Sequence, residues 1–147
     1  MADYFTNFSL VLPLEDATQQ QYALDLANKA AGLRFEEQIA AADFPEDLKD
    51  VLGDWAFETE KQGDNSIWLH SYEGGLDAVC AFVQHLIKKF NPKGRVEFEW
   101  SNDCSKPRVD AYGGGAAVIT AAAITAMSTT QWLRQQAESN ENQSAAS

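Results

Sequence analysis

Residues 66–90, SIWLHSYEGGLDAVCAFVQHLIKKF, change their hydrophobic period at Gly74-Gly75. Before the glycines, Ile67 and Leu69 alternate with Trp68, His70 and Tyr72, the two-residue period of a strand. After them, Leu76, Val79, Cys80, Val83, Leu86, Ile87 and Phe90 recur at the spacing of one helix face. Asp77 stands in the first turn and Lys88 and Lys89 in the last, where the macrodipole favours each charge. Asn91-Pro92 ends the helix. A strand that breaks at two glycines and returns as an amphipathic helix must lay that helix on the sheet it has just left.

The same reading extends outward. Residues 55–60, WAFETE, alternate, and Gln62-Gly63-Asp64-Asn65 supplies a turn, so 55–72 is a hairpin. Phe8, Leu10 and Leu12 mark an N-terminal strand that Pro13 closes. Asp16 and Gln19 form a capping-box-like start for a helix over 16–31, with Ala23, Leu26, Ala27 and Ala30 on one face and Gly32 as its stop. Pro45-Glu46-Asp47 opens a short helix, closed by Gly53. Val96, Phe98 and Trp100 alternate in a further strand, which pairs with one at 116–120; whether 121–127 adds a short edge strand is left open by the pattern. Residues 101–110 read as a polar loop. Ser128 and Gln131 start a last short helix that docks Trp132 and Leu133. The order predicts an α+β chain: a ferredoxin-like sandwich with an antiparallel sheet of 4–5 strands, two main helices on one face and a short C-terminal helix. Leu10, Leu76, Val79, Val83, Leu86, Ile87 and Phe98 are the expected core. Residues 1–136 form the single domain, 33–54 read as an acidic, insertion-like segment, and 137–147 as a disordered tail.

The chain of 147 residues carries 22 acidic and 11 basic side chains. Ten of the acids, against two bases, fall within 36–64, a local charge of −8. Such a segment repels phosphate and attracts a basic protein surface. Without a binding role it serves solubility. Two cysteines exclude a disulfide scaffold and a cysteine zinc site, and match a reducing compartment. There is no apolar run of membrane-spanning length. Asp3, with no basic residue before the first apolar stretch, argues against a secretory signal.

Two stretches carry a resemblance. Tyr4-Phe5-Thr6-Asn7-Phe8-Ser9, and Cys104-Ser105-Lys106-Pro107-Arg108 followed by Asp110 and Tyr112-Gly113-Gly114-Gly115-Ala116, resemble a family of small proteins of phages and conjugative elements. The similarity runs through 66–133 and omits 33–54. The architecture is similar to that of the YubB-like ferredoxin-like proteins of mobile elements. The resemblance implies a genomic setting and carries over no catalytic residue.

Three groups of residues are candidates for function. Trp68, His70 and Tyr72 share a sheet face; if the helices cover Ile67 and Leu69, these aromatics line the open one. Glu58, Glu60, Glu97 and Glu99 fall on the same face and disfavour phosphate. The competing reading is a second small core there, with Trp132 over Trp68. Lys106 and Arg108, with Tyr112 and Gly113–Gly115, suggest an anion or nucleotide site. Walker spacing is absent, and a structural account has Arg108 held by Asp103, Asp110 or Glu99. Cys104 with His70 is a weak nucleophile pair. His70 and His85 stand in no metal-ligand spacing, so the sequence points to neither metal nor cofactor.

The charge clustering, the missing catalytic motif and the resemblance together point to a non-enzymatic interaction protein. The expectation is an inhibitor of a host defence complex in the bacterial cytoplasm, acting by steric and electrostatic blocking. Glu46, Asp47, Asp50 and Asp54, with Trp68, His70 and Tyr72, would meet a partner protein with a basic surface. Direct nucleic-acid and membrane binding are disfavoured. The alternative is a small-ligand or nucleotide binder built on Lys106, Arg108 and Tyr112.

Overall fold

The computed structural model describes residues 4–34, 44–106 and 112–146. Its elements are β1 (Tyr4–Pro13), α1 (Ala17–Leu33), α2 (Glu46–Lys49), a single helical turn Leu52–Asp54, β2 (Glu58–Gln62), β3 (Ser66–Ser71), α3 (Leu76–Phe90), β4 (Arg95–Cys104), β5 (Gly113–Thr120), β6 (Ile124–Ser128) and α4 (Thr129–Ala146). The strands form one antiparallel sheet in the order β2-β3-β1-β4-β5-β6. The fold is therefore α+β, with six strands and four helices among the described residues.

The sheet exceeds the expected four or five strands because β6 is a full partner of β5, from Gly115↔Ser128 to Ile119↔Ile124. The reversal is a tight turn in which Thr120 donates its N–H to the Ala123 carbonyl and accepts the Ala123 N–H on its hydroxyl. Ala121-Ala122 carries no glycine, proline or asparagine to announce a turn. β4 also runs on to Cys104, into the stretch read as a polar loop.

Register sets the two faces. Phe8, Leu10 and Leu12 of β1, Ile67 and Leu69 of β3, Phe98 of β4 and Ala117 and Ile119 of β5 are buried. Against them lie Ala23, Leu26, Ala27 and Ala30 of α1 and a broad face of α3. All the expected core residues are buried except Leu76, which is half-buried. Phe82, outside the expected α3 stripe, is fully buried: Trp55 and Phe57 pack on it at 5.3 and 5.9 Å between ring centroids. Phe57 in turn meets Phe8, which meets Phe98. Because Trp55 and Phe57 fill this junction, β2 begins only at Glu58, later than the 55–60 expected. Leu48 and Leu52 are fully buried, so the second half of the insertion-like segment belongs to the core.

Both expected caps form. Asp16 Oδ1 accepts the Gln19 N–H at 2.9 Å, and at the start of α4 Ser128 Oγ accepts the Gln131 N–H while Gln131 Oε1 accepts the Ser128 N–H. α1 passes through Gly32 to Leu33 instead of stopping there. α4 is longer than the short helix expected and carries 137–146, read as tail, as helix. Residues 129–146 contain no glycine or proline to end it. α3 is capped from a distance. Its N-cap is Gly75, at φ +81°, which offers no side chain, and Asp54 Oδ2 accepts the Ala78 N–H at 3.1 Å in its place.

Two expectations about stability follow. Asp54→Ala should cost about 1 kcal/mol in chemical denaturation, the usual loss for a helix cap. Gly115→Ala should cost about 1–3 kcal/mol, since its methyl group would meet the Trp100 ring and lie 2.6 Å from the Met127 carbonyl. Gly53→Ala, with open space around it, should change stability by less than about 0.5 kcal/mol.

Candidate functional site

α1 and α3 cover one face of the sheet, and the side chains of alternate parity line the other. Trp68 pairs with Val11 and with Glu60, and His70 with Ser9 and with Glu58. These six side chains share the open face. Their geometry is tightly specified. Trp68 Nε1 donates to Ser9 Oγ at 2.7 Å. The His70 ring stacks on Trp68 with centroids 3.9 Å apart and planes 26° apart. His70 Nε2 lies 2.6 Å from Glu60 Oε2 and 3.7 Å from Glu58 Oε2. A groove of about 430 Å³ opens beside this stack, lined by Asn7, Ser9, Trp68, His70, Tyr72 and Ser101. Tyr72 is 72% exposed at its rim. On the far side, Ser101 pairs with Asn7, which places Glu97, Glu99 and Asp103 of β4 on the same face. Asn7 Nδ2 reaches Asp103 Oδ2 at 3.3 Å, and Arg95 Nε reaches Glu97 Oε1 at 3.0 Å.

The second-core reading of this face fails on the position of Trp132. That ring lies beside Gly113–Gly115 and Met127, and is 53% exposed. It does not cover Trp68.

The seven residues expected to meet a partner do not form one surface. Glu46, Asp47 and Asp50 are on or beside α2, which packs on α3 in the helical layer, away from Trp68, His70 and Tyr72. Three of the four acids also have structural partners. Glu46 pairs with Lys49 at 2.7 Å. Asp54 caps α3. Asp47 accepts from His85 Nδ1 at 2.9 Å, and the other ring nitrogen bonds the Tyr22 hydroxyl at 2.8 Å. This chain ties α1, α2 and α3 together. Partial burial, and then the nearby Asp47 carboxylate, raise the Tyr22 hydroxyl above its ordinary range. Glu36, Glu37 and Asp43 of the acidic segment lie outside the described residues.

The glycine segment also has a structural explanation. Gly113–Gly115 enter β5 and are paired on the β4 side with Asn102, Ser101 and Trp100. The Gly114 N–H donates to Thr129 Oγ1 at 3.0 Å, and the Trp100 ring lies over Gly115, where a side chain would collide with it. These backbone groups are engaged in the sheet rather than arrayed around an anion. Tyr112 donates its hydroxyl to the Cys104 carbonyl at 2.9 Å, closing the connection into β5. Lys106 is exposed; Arg108 and Asp110, and with them the expected carboxylate partner of Arg108, lie outside the described residues.

Cys104 ends β4 as a buried residue opposite Tyr4, on the helix side of the sheet, so the sheet separates it from His70. Cys80 is a core thiol, which burial and then Asp77 push up to about 11. Neither forms a nucleophile with His70.

Reading along the chain missed a different grouping. Glu58, Glu60 and His70 bring one ligand atom each to within 4.8 Å of one another across the β2–β3 pair. No His-x-x-x-His spacing announces it, because the third ligand comes from the neighbouring strand. Ser9, which holds the Trp68 ring, gave no signal either. No helix among the described residues is long and apolar enough to cross a membrane. Comparison with known proteins gives no match, whether to a family model, to a curated protein or to a solved structure.

Proposed function

We propose that the chain is a non-enzymatic protein-interaction module of a phage or other mobile element, which docks a basic protein surface on the open face of its sheet. The observation that carries this reading is the strip of Trp68 and Tyr72 on a sheet face that no helix among the described residues covers, bounded by Glu58 and Glu60 on one side and Glu97 and Glu99 on the other. An apolar ring in a groove supplies an anchor, and a carboxylate rim selects a cationic partner and speeds its approach. Exposed aromatic faces also receive lysine and arginine side chains directly. The same carboxylates repel nucleic-acid phosphate. The role fits an inhibitor of a host defence complex that works in the bacterial cytoplasm by covering that complex's basic face. The resemblance of 4–9 and 104–116 to proteins of mobile elements supports the setting. The order β2-β3-β1-β4, with α1 and α3 on one face, supports a ferredoxin-like core to which β5 and β6 are added.

Capture from bacterial lysate at low and high salt, with wild-type and variant baits, tests the reading. Tyr72→Ala should leave the melting temperature unchanged and weaken capture of a basic partner by about tenfold or more, the scale of an aromatic anchor. Glu97→Lys with Glu99→Lys should slow association and flatten its salt dependence. Glu46→Lys with Asp50→Lys, on the helical layer, should change capture little. If the α2 pair abolishes capture while Tyr72→Ala does not, the docking surface is the acidic helix and not the sheet.

A further inference from the structure

The carboxylates at the β2 edge are not equivalent to the rest of the rim. His70 Nε2 can donate one hydrogen bond, and Glu60 already accepts it at 2.6 Å. Glu58 Oε2 stands 3.7 Å from the same nitrogen, beyond hydrogen-bond distance. The edge thus holds more acceptors around one nitrogen than that nitrogen can satisfy. The imidazole is also held in place before anything binds. Its ring is stacked on Trp68, and Trp68 is itself fixed by Ser9. In a metal site such outer contacts orient the ligand ring.

We propose that Glu58, Glu60 and His70 form a three-ligand site for a divalent cation of the zinc class at the outer edge of the sheet. The donor set, one imidazole nitrogen and two carboxylate oxygens, supplies three ligands of the types zinc accepts and leaves a fourth position to water. Zinc bonds of about 2.1 Å in tetrahedral geometry place neighbouring donors about 3.4 Å apart. The observed 2.6 and 3.7 Å bracket that spacing. The adjustment falls on Glu58 and Glu60, whose side chains are 77% and 56% exposed, and not on His70, at 17%. Pairing sets the rest: Glu58 lies directly across from His70 and Glu60 is two residues along the same strand, so all three donors lean to one side of the sheet. Magnesium, which demands an octahedral oxygen shell and keeps its waters, fits this set poorly. The inference does not rest on the docking reading, because it concerns the chain alone.

Calorimetric titration of the full chain with zinc chloride tests it, with tryptophan fluorescence followed in parallel. The expected result is one zinc ion per chain and a fluorescence change arising from the Trp68–His70 stack. Magnesium chloride over the same range should give neither. His70→Ala should remove the binding. Glu58→Gln, at an exposed position that leaves the Trp68–His70 stack in place, should weaken it by about tenfold or more. Glu46→Gln, an exposed carboxylate elsewhere, should leave it unchanged. Absence of stoichiometric binding by the wild-type chain, or binding that survives both Glu58→Gln and His70→Ala, would overturn the proposal.

Discussion

Phe82 is enclosed by Trp55 and Phe57, and the placement of the neighbouring elements follows from that contact. Trp55 meets Phe82 edge to face and Phe57 meets it at a tilt; rings packed this way bury a large area and tolerate little sliding, so α3 is held on the sheet at a defined height. The chain that brings Trp55 and Phe57 inward also carries Asp54, which reaches the unpaired amide at the start of α3. Gly75, at positive φ, approaches the same segment so closely that a side chain would press on the Asp54 carbonyl and the Ala56 amide. Packing, capping and turn geometry therefore act at one place. Loss of any of them loosens the join between α3 and the β2–β3 hairpin.

The open face inherits its order from that join. With Phe57 inward against Phe8, the next residue, Glu58, turns outward and begins β2. The pairing then sets Glu58 across from His70 and Glu60 across from Trp68. Two carboxylates, an imidazole and an indole meet on a solvent-facing surface because the opposite parity is required by the core. Among the described residues the helices cover one side of the sheet only, so these outward side chains stay at the surface.

The acidic segment shows how charge on a sequence differs from charge on a surface. Its local net charge of −8 suggests a single docking face. Folded, four of its described acids are distributed among a cap, a histidine partner in the helical layer and the outer edge of the sheet. Asp54 and Asp47 hold the structure together through hydrogen bonds to Ala78 and His85. Glu58 and Glu60 remain outward. A count of acids cannot separate these roles, because each depends on a partner distant in the sequence.

What the residues determined alone was local and periodic: the α3 stripe, the hairpin turn at 62–65, the caps at Asp16 and Ser128, and the alternation that puts Trp68 and His70 on one face. The turn implied part of the site as well, since pairing Gln62 with Ser66 leads by register to Glu58 across from His70. The tertiary structure decided what no short window contains. Phe82 is buried because the Trp55–Phe57 segment crosses it, and Asp54 is a cap because it lies beside a helix that begins more than twenty residues later. β6 is a strand because β5 offers a free edge, although its turn has no signature. The physical reason is the same in each case. Periodicity reports which way a side chain points relative to its own backbone, whereas a contact between distant segments exists only once the whole chain has chosen its packing.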